Sequence, residues 1–224
     1  MTKTQSATAA TLLAEYGSTY AHDAGIRLKN TPAPLYQLLV LSHLLSARIS
    51  SDIAVSAARA LFKAGFRTPA KMAAATWQQR VDALGEGHYR RYDERTSTQL
   101  GDGAEKLLDE YSGDLRKLRS ASASATDLAK RLRIFPGIGP TGAHIFCREV
   151  QGVWPDVQPF IDKKVHEGAN RLQLPTSAED LARLVEASDL PRLAAGCVRV
   201  ALDPDIASAV KSRSRGANQS DKTD

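Results

Sequence analysis

The chain has 224 residues, 42% of them hydrophobic, enough for one domain or two small ones around a buried core. Its formal net charge of +5 suits a polyanionic partner without proving one. Two cysteines exclude a disulfide framework, and the apolar run 38–45 is far too short to span a bilayer, so a reducing cytoplasm is the expected setting.

In chain order, residues 1–8 are polar and rich in threonine, and should fray. Leu12, Leu13, Tyr16 and Tyr20 then fall at helical spacing. The run 30–34, with Pro32 and Pro34, breaks that pattern, and 35–47 reads as a strongly apolar helix through the core. Ser51-Asp52 opens the next helix, with Ile53, Val55, Ala58, Leu61 and Phe62 on one face. Thr68-Pro69 and Thr76 are further helix starts, the second turning Trp77, Val81 and Leu84 inward. The stretch 85–89 is a Gly-Glu-Gly-His-Tyr loop. After the charged run 90–95 a helix continues to Tyr111 and stops at Ser112-Gly113. Residues 127–133 form a helix that Pro136 ends.

The stretch 135–143, Phe-Pro-Gly-Ile-Gly-Pro-Thr-Gly-Ala, follows. Gly137 and Gly139 permit positive φ on either side of Ile138, which points inward. Pro140 suits the first position of a new helix. The amides at that helix start can hold one phosphate. Trp154-Pro155 follows, then Asp162 before a helix over 163–172, and Asn170-Arg171. Ser177 caps a helix by its Ser-x-x-Asp spacing, and 189–202 is the last helix. Residues 211–224 carry no apolar anchor and read as disordered, with Lys211, Arg213 and Arg215 adding weak electrostatic affinity. No strand-like alternation appears, so the fold class is all-α.

The hairpin, Trp154-Pro155, Asp162 and Asn170-Arg171 together resemble the endonuclease III-type branch of the helix–hairpin–helix DNA glycosylases over about residues 34–171. The resemblance implies a two-lobed fold with a cleft. Residues 34–134 would form an interior barrel-like lobe, 9–33 with 135–210 the lobe that contains the hairpin, and 211–224 a tail. It implies a monomer acting on double-stranded DNA that contains a lesion, with no membrane partner. Asp162 would be the catalytic carboxylate, although its position equally fits a plain helix cap. Gly137, Ile138, Gly139, Thr141, Gly142 and Lys163 would lie against DNA.

Leu44-Leu45-Ser46-Ala47-Arg48 resembles the family helix ending in Leu-Leu-Ser-Ala-Gln, whose glutamine fills the hole left by the extruded base. Arg48 would take that place, or simply offset a helix dipole. His88 and Tyr89 stand where the family carries a wedge between bases. Alternatively Tyr89 covers the core and His88 is merely exposed. His166 and Phe160 flank Asp162, as pocket residues or as helix surface and core filling.

Two departures from the family pattern bear on chemistry. Thr141 stands where strand-cutting members carry a lysine, so no Schiff base can form there and a water-using, monofunctional glycosylase is implied. Lys163 or Lys164 would have to substitute otherwise. The four-cysteine iron–sulfur motif is missing, leaving Cys147 and Cys197, so no cluster is expected. No zinc ligand set is present either. A monovalent cation on hairpin carbonyls remains open by family analogy. The alternatives to a glycosylase are an inactive DNA-binding or damage-sensing protein of the same fold, and an all-α protein-interaction module.

Overall fold

The computed structural model describes residues 2–220, and every regular element among them is helical. In chain order these are α1 (Lys3–Tyr16), α2 (Tyr20–Asp23), α3 (Pro32–Leu45), α4 (Ser51–Lys63), α5 (Pro69–Ala74), α6 (Trp77–Glu86), α7 (Asp93–Tyr111), α8 (Leu115–Ser120), α9 (Ala125–Leu132), α10 (Pro140–Val150), α11 (Lys163–Arg171), α12 (Ala178–Ala182), α13 (Leu190–Leu202) and α14 (Pro204–Ser220). No described helix is long and apolar enough to cross a membrane.

The helices belong to two compact units. The interior unit is the unbroken segment Tyr20–Asp156; the terminal unit joins the chain up to Thr19 with the chain from Val157. The sequence reading grouped 135–156 with the two ends. Packing instead groups α10 with α3 and α9.

In the interior unit α3 is the central rod. Thr31 precedes it, Pro32 occupies its first turn, and Leu35, Leu38, Leu41 and Leu44 are fully buried. Helices α4 and α10 pack on it. Buried Arg80 ties three segments together. Its Nε donates to the Ser97 carbonyl at 2.9 Å and its Nη1 to the carbonyls of Met72 and Ala75 at 3.0 and 2.7 Å. Gly101 makes room for it: a Cβ there would stand 2.6 Å from the guanidinium. Buried Glu149 accepts from the amides of Tyr20 and Ala21 at 3.2 and 2.9 Å, satisfying the start of α2. Trp154, fully buried, donates to Asn30 at 2.8 Å and lies under the Arg119 guanidinium at 5.1 Å. Trp77, expected inward, is 41% exposed because its indole N–H turns out to the Glu94 carbonyl and the Thr98 hydroxyl.

In the terminal unit α13 is buried along most of its length against α1 and α11. Arg192 donates to carbonyls at the C-terminal end of α1, Gly17 at 3.3 Å and Leu13 at 3.2 Å, where a cation also meets the negative end of the helix dipole. Two expectations change here. The N-terminus is not frayed from residue 3 on: Thr2 and Gln5 form a capping box that starts α1. Residues 211–220 are helical as part of α14, packed on α1, with Val210 and Ser214 buried. A single apolar stripe continued from Ala207 is enough to anchor it. Residues 221–224 of the expected tail lie outside the described residues.

Candidate nucleic-acid interface

The hairpin belongs to the interior unit. Ser124 caps α9, its hydroxyl accepting from the Asp127 amide at 3.1 Å. The chain turns through Phe135 and Pro136, and the Ile138 amide closes the turn on the Phe135 carbonyl at 3.0 Å. Only Gly137 uses a left-handed backbone, φ 81°; Gly139 is extended and precedes Pro140, which opens α10. Ile138 is buried, as expected, while Gly137, Pro140 and Thr141 are exposed. Thr141 thus stands exposed at the start of α10, where an anionic oxygen is welcome, while Gly142 and Ala143 behind it are buried. Ile138 can reach DNA only through its backbone.

Three of the predicted residues wall one cavity. Arg48, Tyr89 and Gly137 line a pocket of about 370 Å³ together with His43, Ser46, Ala47, Tyr92, Arg95, Thr96 and Gln99. Arg48 lies three residues past the end of α3 and is exposed. Tyr89 is only 1% exposed, so its ring fills the core and lines the pocket wall; it is not a projecting wedge. Burial pushes its phenol above the ordinary range, against a hydrogen bond with Thr96. His88 is exposed, at φ 64°, and does not line this pocket. Arg91 stacks over the Tyr92 ring at 5.3 Å.

The floor of this pocket went unmarked in the sequence. His43 Nε2 lies 3.2 Å from Gln99 Oε1. Burial lowers the His43 imidazole to about 4, Gln99 opposing and Arg95 adding to the shift. Gly137 presses on this pair: a Cβ there would come within 2.3 Å of the imidazole and 2.8 Å of Gln99 Oε1. His43 is a polar residue inside an apolar helix, the one signal that could have marked it. Gln99 carried none.

Asp162 and Lys163 lie in the terminal unit. Asp162 caps α11: one carboxylate oxygen accepts from the amides of Lys164 and Val165 at 3.0 and 3.1 Å. The side chain is 9% exposed. Lys163 is exposed, whereas Lys164 pairs with Glu167 at 2.6 Å. His166 is half-buried one turn along. Behind Asp162, α11 lies directly on α13, where a Cβ on Gly168 would stand 1.8 Å from the Cys197 carbonyl oxygen.

The residues do not fit an iron–sulfur cluster, which takes four cysteine thiolates. The chain has two cysteines, both buried, and burial pushes the Cys197 thiol up to about 12. Among the described residues no group of three or more His, Cys, Asp or Glu side chains is placed to hold a metal ion.

No family model matches the chain, and no curated protein matches it. Among solved structures it is similar to a trapped endonuclease III–DNA covalent intermediate, an estranged-adenine complex, at 15% identity and TM-score 0.49, over 77% of this chain and 75% of that one. It is also similar to a non-covalent endonuclease III–DNA complex at 17% identity and TM-score 0.47, over 77% and 74%.

Proposed function

We propose that this chain is a monofunctional DNA glycosylase, binding duplex DNA through the α9–α10 hairpin and hydrolysing the N-glycosidic bond of a damaged or mismatched base. The observation that carries the reading is a pairing within one chain. A Gly-Ile-Gly hairpin opens a helix whose start, Pro140-Thr141, is exposed, and an aspartate held by two amides opens another. A base within a stacked duplex must be extruded before its glycosidic bond can be reached. As the base departs, positive charge develops on the sugar. A carboxylate already fixed in orientation stabilises that charge without reorganising, and it can orient the attacking water. The amides of Lys164 and Val165 give Asp162 that fixed orientation. Thr141 offers no amine for a covalent sugar intermediate, so the strand is left uncut at the abasic site.

The test uses duplexes carrying single lesions, followed by alkali to cut abasic sites. Cleavage should appear only after alkali. In Asp162→Asn it should fall by roughly 100-fold or more, the scale of losing one charge-stabilising group. Asparagine is as good a helix cap as aspartate, so the fold should hold. Cleavage without alkali would instead assign an amine nucleophile, with exposed Lys163 the first residue to replace. Tight binding with no base release from any duplex would leave a DNA-binding protein of the same fold.

A further inference from the structure

We propose that the 370 Å³ pocket of the interior unit accepts an unpaired base bearing carbonyl oxygens on its Watson–Crick edge, and that Gln99, oriented by His43, is the residue that reads it. The inference rests on the proposed binding of DNA, not on release of the base.

The chemistry of the lining decides the ligand. Arg48 and Arg95 are donors only, and no aspartate or glutamate side chain lines the pocket. Buried and uncharged at neutral pH, His43 has one ring N–H, and its Nε2 faces Gln99 Oε1 at 3.2 Å. In its Nε2–H tautomer the ring donates and the amide oxygen, placed toward it, accepts. That leaves the other end of the Gln99 amide turned away from the ring. Its NH₂ group, which has no protein partner among the described residues, is left for the cavity as a donor. The Gly137 backbone packs against both side chains. A volume of this size is at the lower end of small-molecule pockets, and the Tyr92 ring beside it offers a face for stacking.

With two arginines and the Gln99 NH₂ as donors and no carboxylate, the lining distinguishes a carbonyl from an amino group at the same ring position. Directed at that position, it favours uracil over cytosine and hypoxanthine over adenine, pairs in which a carbonyl replaces the exocyclic amino group and the adjacent ring nitrogen gains a hydrogen. Such a base can come from either strand, as the extruded base or as its former partner.

The experiment measures binding by fluorescence anisotropy, with the test base set opposite a tetrahydrofuran abasic-site analogue so that it is unpaired in every duplex. Release of the test base is read from the same duplexes with alkali. Release that follows the binding preference assigns the pocket to the extruded base; preference without release assigns it to the partner base. The wild-type protein should bind uracil over cytosine, and hypoxanthine over adenine, by about fivefold or more, the discrimination one well-placed base contact gives. Gln99→Ala should bring both ratios close to one while affinity for an undamaged duplex is kept. Gln99→Glu, equal in size, should reverse them, because an acceptor oxygen replaces the donor NH₂. His43→Leu should act like Gln99→Ala, and His43→Gln, which retains a donor, should restore part of the preference. Ratios unmoved by both Gln99 variants, or absent in the wild type, would overturn the assignment. Base release that needs Asp162 but ignores Gln99 would refute this inference and keep the glycosylase. Discrimination that follows Gln99, with no base release from any lesion duplex of the glycosylase assay, would do the reverse.

Discussion

Gly137 and His43 meet at a distance that leaves no room for a side chain between them, and the histidine is held neutral by its burial. The consequence for stability has a definite sign. The His43 value in the fold lies below the ordinary 6.5, so the unfolded chain binds the proton first. The stability it contributes is complete above about pH 6.5 and is lost as pH falls toward 4. Comparing wild type with His43→Gln by urea unfolding removes the titration of other groups from the difference. The wild-type advantage should shrink by up to about 3 kcal/mol between pH 7 and 4, since each tenfold change in proton affinity is worth about 1.4 kcal/mol. A pH-independent difference would show that the imidazole is not held neutral. At this scale the sequence was partly legible. Asp162, Thr68, Thr76 and Ser177 were recognisable as caps, because a cap is a contact between neighbours two or three residues apart. The His43–Gln99 contact spans 56 residues and leaves no local trace.

At the scale of the element, α11 carries the candidate carboxylate, and its placement depends on how closely it lies on α13. Gly168→Ala puts a methyl group where the Cys197 carbonyl now is, and backbone cannot yield as a flexible side chain can. The two helices must separate. We expect a loss of at least about 2 kcal/mol in thermal or urea unfolding, in the range of overpacked cores. Unchanged stability would mean that the contact is looser than described. Element boundaries followed from proline, glycine and capping chemistry, and the hairpin was placed correctly between α9 and α10. What failed was burial. Trp77 turned outward and α14 formed where a polar tail was expected, since both depend on partners distant in sequence: Glu94 and Thr98 for one, α1 for the other.

At the scale of the whole molecule, a net charge of +5 supports association with a polyanion, and the proposed function turns that into a measurable slope. The logarithm of the DNA association constant should fall linearly with the logarithm of salt, by about 0.9 for each phosphate engaged. Contacts at the α10 start, Arg48 and Arg95 predict a slope steeper than about −2. Affinity indifferent to salt would favour the protein-interaction module instead. Composition alone carries this expectation. It said nothing of which helices would group together, because α10 joins α3 across the whole length of the helices between them in the chain.

The interior unit is one uninterrupted segment, whereas the terminal unit is assembled from both ends of the chain. On the ribosome, α1 emerges before every other helix described and yet has nothing to pack on until α13 and α14 follow. The helix bearing Asp162 shares that delay, since its own support is α13. A nascent chain therefore presents the α9–α10 hairpin well before α11, with Asp162 at its start, has α13 to lie on.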